Sequence, residues 1–126
     1  MGSPAIFKGD YVALLKQKGI LFPDNGIWPG PTPVALGSGT AIDWSLSTQF
    51  TKTLTANTTF TWTNQKPGQE IYVWLTQDST PRTVTWPTIK TTGGALVMST
   101  ASGALDLYHF IYNGTVTAGF QAPGLA

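Results

Sequence analysis

The chain has 126 residues, a length typical of one domain with a single core. Only 10% of the residues are charged and the net charge is +1, which gives no field to attract DNA, RNA or an anionic membrane. The absence of cysteine excludes disulfides, thiolate zinc sites and a cysteine nucleophile. So few charges are unusual for a small monomer. Either much of the surface is buried against copies of the chain or another protein, or Thr, Ser, Asn and Gln supply the polarity.

Residues 1–39 are predicted to form an N-terminal arm. Asp10 can cap a short helix over about residues 10–18, and Gly19 can end it. A turn and a Pro- and Gly-rich linker follow up to residue 39. About two turns of helix are unstable alone in water, so this helix must dock on its own domain or on a partner protein. The side chains expected to make that contact are Phe7, Tyr11, Leu14, Leu15, Lys16, Lys18 and Trp28.

Residues 40–126 are predicted to form short β-strands with no helix between them. The segment 71–75 is apolar at every position, which is typical of a strand covered on both faces. A long strand is predicted over residues 105–112, and the Asn113-Gly114 pair that follows is a strong hairpin signal. Residues 95–98 are expected to form a further short strand. About eight strands at roughly ten-residue spacing predict an antiparallel sandwich, jelly roll or barrel.

Catalytic chemistry finds little support in the sequence. His109 is the only histidine, and it points to the opposite face of its predicted strand from Asp106, so the two cannot form a local acid–base pair. A triad through Ser99 or Ser102 would lack an orienting carboxylate unless a residue distant in the sequence supplied it. The six carboxylates are scattered, without a pair suited to glycoside hydrolysis. We therefore expect no enzyme activity and no cofactor, and we interpret His109 as a structural residue of a core or an interface.

Both faces of the predicted strands 71–75 and 105–112 are apolar, whereas an antiparallel strand in an isolated small sandwich has one polar face. A second sheet, the arm or a neighbouring subunit must cover the excess. Together with the low charge, this pattern favours a homo-oligomer. In a three-fold oligomer, three copies of His109 could meet on the axis around a metal or an anion. The predicted subunit interface contains Tyr72, Trp74, Tyr108, His109, Phe110 and Tyr112.

The order of motifs over residues 42–120 resembles a β-module of tailed-phage virion proteins. NTTFTWTN is followed by PGQEIYVWLTQDS, RTVTWP, a Gly-Gly pair, LDLYHFIYNGT and a closing TAGF. The most specific parts are Gln77-Asp78, residues 83–87 and the Tyr112-Asn113-Gly114 turn. Modules of this family occur in tail fibres, head fibres and small capsid decoration proteins. The chain departs from the pattern at Pro81, where glycine is common, and at His109, where the family has an aliphatic residue.

The resemblance implies an antiparallel β-sandwich of jelly-roll type over residues 40–126, usually trimeric and without an enzymatic site. Residues 1–39 would then anchor the trimer to the major capsid protein or another virion protein. We expect a capsid decoration or head-fibre protein, located on the capsid surface of the virion and, during assembly, in the host cytoplasm. The alternative is a tail-fibre or tail-tip module that binds a host glycan through exposed Trp and Tyr residues. A third possibility, a cellular carbohydrate-binding module, predicts a monomer.

Overall fold

The computed structural model describes residues 32–126, and this part of the chain is all β, with nine strands and no helix. Within it, no helix of the length and hydrophobicity needed to cross a membrane is present. The predicted helix at about 10–18 and the predicted anchoring side chains of the arm lie outside the described residues. The strands are β1 Val34–Ala35, β2 Ala41–Asp43, β3 Gln49–Thr53, β4 Thr58–Thr59, β5 Thr61–Thr63, β6 Glu70–Thr76, β7 Val84–Thr85, β8 Leu105–Tyr112 and β9 Thr117–Leu125.

The strands form one large sheet and two small ones. The large sheet has five strands in the order β1-β3-β6-β8-β9, and the small sheets pair β2 with β5 and β4 with β7. Pairing is parallel between β1 and β3, between β3 and β6, and within both small sheets. It is antiparallel only between β6 and β8 and between β8 and β9. The prediction of an all-β fold is confirmed, but a purely antiparallel arrangement is wrong.

The parallel pairs arise because the chain repeatedly leaves the large sheet and returns to it in the same direction. It leaves after β1 and returns as β3, then leaves again and returns as β6. A parallel connection needs a crossover of about a dozen residues, which is usually a helix. Here the crossovers contain the short strands of the small sheets instead. Side-chain alternation along a strand carries no information about the direction of its neighbour, so the sequence did not predict this winding.

The β-body begins earlier than the predicted boundary at residue 40. β1 lies within the predicted linker, and the Leu36 N–H continues its ladder by donating to the Thr51 carbonyl at 2.9 Å. The Ser47 hydroxyl also donates to the Thr32 carbonyl at 3.0 Å. The compact unit starts at Pro31. A two-residue strand is too short to show periodicity, and the surrounding prolines and glycines indicated only a linker.

One hydrophobic core lies against the inner face of the large sheet. Phe50 from β3, Val73 from β6 and Phe110 from β8 are fully buried there. Ile42 of β2 and Phe60, between β4 and β5, extend the same cluster. The hairpin predicted at residues 113–114 is confirmed, since β8 and β9 pair antiparallel across it. Residues 95–98 do not form the predicted strand.

Candidate functional site

The outer face of the large sheet is the side of β6, β8 and β9 that points away from the core. In the β6–β8–β9 register, Tyr72 lies opposite His109, and His109 lies opposite Phe120. The next row joins Trp74, Leu107 and Ala122. Most of the side chains in these rows are apolar, and the polar ones are Glu70, Thr76 and His109. The larger apolar side chains of this outer face are Tyr72, Trp74, Leu105, Leu107, Ile111, Phe120 and Leu125.

Two of these side chains are unusually exposed. Phe120 is 47% exposed and Leu125 is 41% exposed, although both belong to β9 and pair with residues of β8. Leu105, Leu107 and Ile111 are half-buried on the same side. Large contiguous apolar patches are a feature of interaction sites, whereas scattered exposed apolar residues need no explanation. That a second sheet, the arm or a neighbouring subunit covers this face stays a prediction.

A polar group of three residues lies in the middle of the outer face. The His109 and Tyr72 rings stack with centroids 4.3 Å apart and planes 4° apart. Glu70 Oε1 lies 3.1 Å from His109 Nε2 and accepts a hydrogen bond from the Tyr72 hydroxyl at 3.3 Å. Burial, the Glu70 charge and this hydrogen bond raise the pKa of Tyr72. Both contacts use Glu70 Oε1, so a partner that covers this group has to supply hydrogen bonds to Glu70 Oε2 and His109 Nδ1.

This group offers one imidazole and one carboxylate. Among residues 32–126, no three His, Asp or Glu side chains lie close enough together to hold a metal ion. A metal on a three-fold axis would therefore need ligands from several copies of His109, as the sequence suggested. That arrangement stays a prediction.

The predicted interface residues on β6 and β8 divide between the two faces of the sheet. Tyr72, Trp74 and His109 lie half-buried on the outer face. Tyr108 and Phe110 are 1% and 0% exposed in the core, so the prediction that they contact another subunit is wrong. Apolar residues on both faces of β8 left the inward face undecided in the sequence. The structure shows that the face with Tyr108 and Phe110 points into the core.

Tyr112, the last predicted interface residue, lies near the edge of the core rather than on the outer face. Its ring packs against the core cluster and stands edge-on to Trp44, with centroids 6.5 Å apart. Its hydroxyl donates to the Gly114 carbonyl at 3.0 Å, within the hairpin that follows β8. Tyr112 therefore holds the turn against the core.

Most of the described tryptophans belong to the interior. Trp44 is 2% exposed, Trp62 packs edge-on against it with centroids 5.4 Å apart, and Trp86 stacks on Phe60 at 4.8 Å. Trp74 is the exception among residues 32–126, since it lies on the outer face and donates through Nε1 to Gln49 Oε1 at 3.2 Å. Trp28 lies outside the described residues. On the outer face, the aromatic platform expected for a glycan is thus reduced to Trp74 and Tyr72 in this part of the chain.

Ser99 is bound directly by a carboxylate, whereas in a catalytic triad the carboxylate orients the histidine. The Ser99 hydroxyl donates to Asp106 Oδ1 at 2.7 Å, and the Ser99 N–H donates to Asp106 Oδ2 at 2.7 Å. His109 points to the other side of β8, as predicted, so no triad forms with it. The one sequence signal for the buried role of Asp106 was a carboxylate within the apolar strand LDLYHFIY.

Asp106 is fully buried and binds two distant segments to β8. Besides Ser99, it accepts the Gly124 N–H at 2.6 Å and the Tyr108 hydroxyl at 3.3 Å. Burial alone would raise the pKa of this carboxyl, but the hydrogen bonds from Gly124, Ser99 and Tyr108 outweigh it and hold the pKa below its usual range. This is the behaviour of a structural carboxylate with its acceptors occupied.

The described residues thus present a largely apolar face that carries one polar group. They also contain a buried carboxylate that binds the loop before β8 and the end of β9. The face supplies contact area and aromatic rings. The carboxylate supplies hydrogen bonds to the chain's own backbone. No family model matches this chain, and no curated protein and no solved structure does either.

Proposed function

We propose that this chain is a structural protein of a tailed-phage virion, a trimeric capsid decoration or head-fibre protein that assembles through the outer face of its large sheet. The observation that carries the proposal is the apolar character of that face around Tyr72, Trp74 and Phe120. An isolated small domain would present polar side chains there. The order of sequence motifs that resembles phage virion modules supports the same assignment.

The packing of the core supports a two-layer sandwich for this module. The large sheet supplies one layer, and the small sheets supply side chains to the same core from the other side. A body of this kind leaves the outer face of the large sheet available for contacts between copies. Copies of the chain that meet through this face would bury Phe120 and Leu125 together with the group formed by Glu70, Tyr72 and His109.

The mechanism of a decoration protein is thermodynamic linkage. A ligand that binds the assembled shell and has no affinity for free capsid subunits stabilises the shell by mass action, by about 2.7 kcal/mol when its concentration is about 100 times its dissociation constant. Trimerisation supports this mechanism because several arms on one body raise their effective concentration at neighbouring capsid sites. In this proposal, the outer face assembles the trimer and the arm binds the shell.

The first experiment measures the mass of the full chain in solution at micromolar concentration by light scattering. A trimer supports the proposal, and a monomer overturns it. Tyr72→Ser combined with Phe120→Ser should shift the mass to that of a monomer, because both changes remove an aromatic ring from the apolar face and leave a small polar side chain. Leu46→Ser is the matched control, since Leu46 is 62% exposed and lies in the turn after β2, off the β6–β8–β9 rows.

The second experiment locates the protein by electron microscopy on intact particles of the phage that encodes it. Density on the shell supports the decoration or head-fibre role, and density on the tail alone favours the glycan-binding alternative. Deletion of residues 1–30 should abolish shell binding and leave the trimer intact. The deletion stops there because β1 and the compact unit that starts at Pro31 must remain whole.

A further inference from the structure

A small cleft of about 330 Å³ opens at the margin of the core. Tyr112 and Thr117, which pair with each other between β8 and β9, line it together with Trp62 and Ile89. Tyr112, Trp62 and Ile89 also pack against the core cluster. None of the larger apolar side chains of the outer face lines this cleft. It is therefore separate from the surface through which we propose that copies of the chain meet.

Hydrogen bonds hold the walls of the cleft in place. The Lys90 N–H donates to the Thr117 carbonyl at 2.8 Å, and the Gly119 N–H donates to the Lys90 carbonyl at 2.9 Å, which joins one wall to β9. The turn after β8 forms another wall, where the Val116 N–H donates to Asn113 Oδ1 at 2.9 Å. Sites for small molecules are usually formed before the ligand arrives, and these bonds give the cleft that property.

The floor of the cleft carries one hydrogen-bonding pair. Thr117 is 5% exposed, and its Oγ1 accepts a bond from Gln65 Nε2 at 2.9 Å. Among residues 32–126, no group accepts the Thr117 hydroxyl proton and no group donates to Gln65 Oε1. Leaving a buried donor without an acceptor costs free energy. A ligand hydroxyl serves both groups at once, because it accepts from Thr117 and donates to Gln65.

The rest of the floor is apolar and aromatic. Trp62, Ile89 and Tyr112 are half-buried there, and the buried Trp62 Nε1 offers no donor to the cleft. A sugar has several hydroxyls, and most of them would lie against these side chains without partners. A phenol has a single hydroxyl on an aromatic ring, and aromatic rings pack favourably edge-to-face or offset. The floor therefore suits a phenol better than a sugar.

The rim of the cleft carries one charge. Of the described residues that line the cleft, Lys90 alone is charged, and it is exposed. No carboxylate of residues 32–126 forms an ion pair with it. A ligand carboxylate at the rim would gain a charge-assisted hydrogen bond from this ammonium. Its contribution is small because water reaches the pair.

We propose that this cleft binds a small phenolic acid, with the phenol hydroxyl on Thr117 and Gln65, the ring against Trp62 and Tyr112, and the carboxylate at Lys90. The proposal does not depend on the virion role, since the cleft shares no side chain with the apolar set of the outer face. A tyrosine side chain of a peptide carries the same phenol, and the experiment separates this source from the free acid.

The test is isothermal titration calorimetry of the full chain with 4-hydroxyphenylacetate, for which we expect a dissociation constant of about 1 mM or lower. Phenylacetate lacks the hydroxyl and should bind at least about tenfold more weakly, because Thr117 and Gln65 stay unpaired. 4-Hydroxybenzyl alcohol lacks the carboxylate and should bind about two- to fivefold more weakly. Tighter binding of N-acetyltyrosine amide than of the acid would overturn the proposal in favour of a peptide. Glucose that bound as tightly as the acid would also overturn it.

Thr117→Val removes the hydroxyl and keeps the shape of the side chain. This variant should bind 4-hydroxyphenylacetate and phenylacetate equally. Thr83→Val makes the same change at an exposed position that does not line the cleft, and it should preserve the preference for the phenol. The two ligands measured on the unmodified chain decide the proposal even if Thr117→Val fails to fold.

Nuclear magnetic resonance of the full chain locates the bound acid. Shift changes should concentrate at Trp62, Lys90 and Thr117. Changes confined to the outer face around Trp74, no binding at about 10 mM acid, or equal binding of the two acids by the unmodified chain would each overturn the proposal.

Discussion

Asp106 and Gly124 are joined by a hydrogen bond of 2.6 Å between a buried carboxylate oxygen and a backbone N–H near the end of the chain. The same carboxylate holds the Ser99 hydroxyl and the Ser99 N–H, both at 2.7 Å. One side chain on β8 therefore fixes the loop before that strand and the last residues of β9. Several N–H and O–H donors in the core depend on this single acceptor group.

Asp106→Asn is expected to destabilise the fold by about 2–3 kcal/mol, because an amide supplies one acceptor oxygen in place of two and turns an N–H₂ group towards existing donors. Chemical denaturation measures the free energy of unfolding. Asp78→Asn is the control, since its carboxylate forms a surface ion pair with Arg82 at 2.7 Å and should cost less than about 1 kcal/mol. Equal losses for the two variants would contradict a central role for Asp106.

Acid should remove the contribution of Asp106 to stability. The hydrogen bonds it accepts outweigh its burial and hold its folded-state pKa below the unfolded value of about 3.9. Its contribution is therefore complete above about pH 4 and is lost as the pH falls through the lower folded-state pKa. The free energy of unfolding measured between pH 7 and pH 2 should fall more steeply in the parent chain than in Asp106→Asn. Parallel curves below pH 4 would disprove this.

Truncation should destabilise the fold strongly at Phe110 and hardly at all at Phe120. Phe110→Ala opens a cavity in the core between Trp62 and Trp86, whose ring centroids lie 4.9 and 4.7 Å from that of Phe110, and should cost about 3–5 kcal/mol. Phe120 is 47% exposed, so Phe120→Ala should change the stability of the monomer by no more than about 0.5 kcal/mol. Thermal unfolding under dissociating conditions and solution mass distinguish the two effects. If the outer face joins copies of the chain, Phe120→Ala alone should weaken their association.

Gly119 allows β9 to approach its neighbours closely. A Cβ atom there would lie 3.0 Å from Ile89 Cδ1, 3.2 Å from Phe110 Cε1 and 3.3 Å from Leu96 Cδ1. Gly119→Ala should therefore overpack the site and cost about 1–3 kcal/mol, measured by denaturant unfolding. Ala122→Ser, on the same strand and exposed, serves as the control and should be nearly neutral. An unchanged stability for Gly119→Ala would mean that these side chains move aside freely.

Local sequence was sufficient for the β class, for β8 and for the hairpin after it. Alternation with a period of two placed Asp106 and His109 on opposite faces, and Asn113-Gly114 supplied the turn that the structure contains, with Gly114 at a φ of 100°. These features depend on residues that are neighbours in the chain. Propensity and side-chain alternation therefore determine them before any long-range contact forms.

Tertiary structure alone decided the direction of the β3–β6 pair, the membership of β1 in the sheet and the inward face of β8. Each depends on partners distant in sequence, as in the pairing of Phe50 with Val73 or the bond from Gly124 to Asp106. Both faces of β8 are apolar, so only the position of the core could assign Phe110 to the interior and leave His109 outside. The sequence indicated more apolar surface than one face of a sandwich buries. The register of the sheet determined which side chains form it.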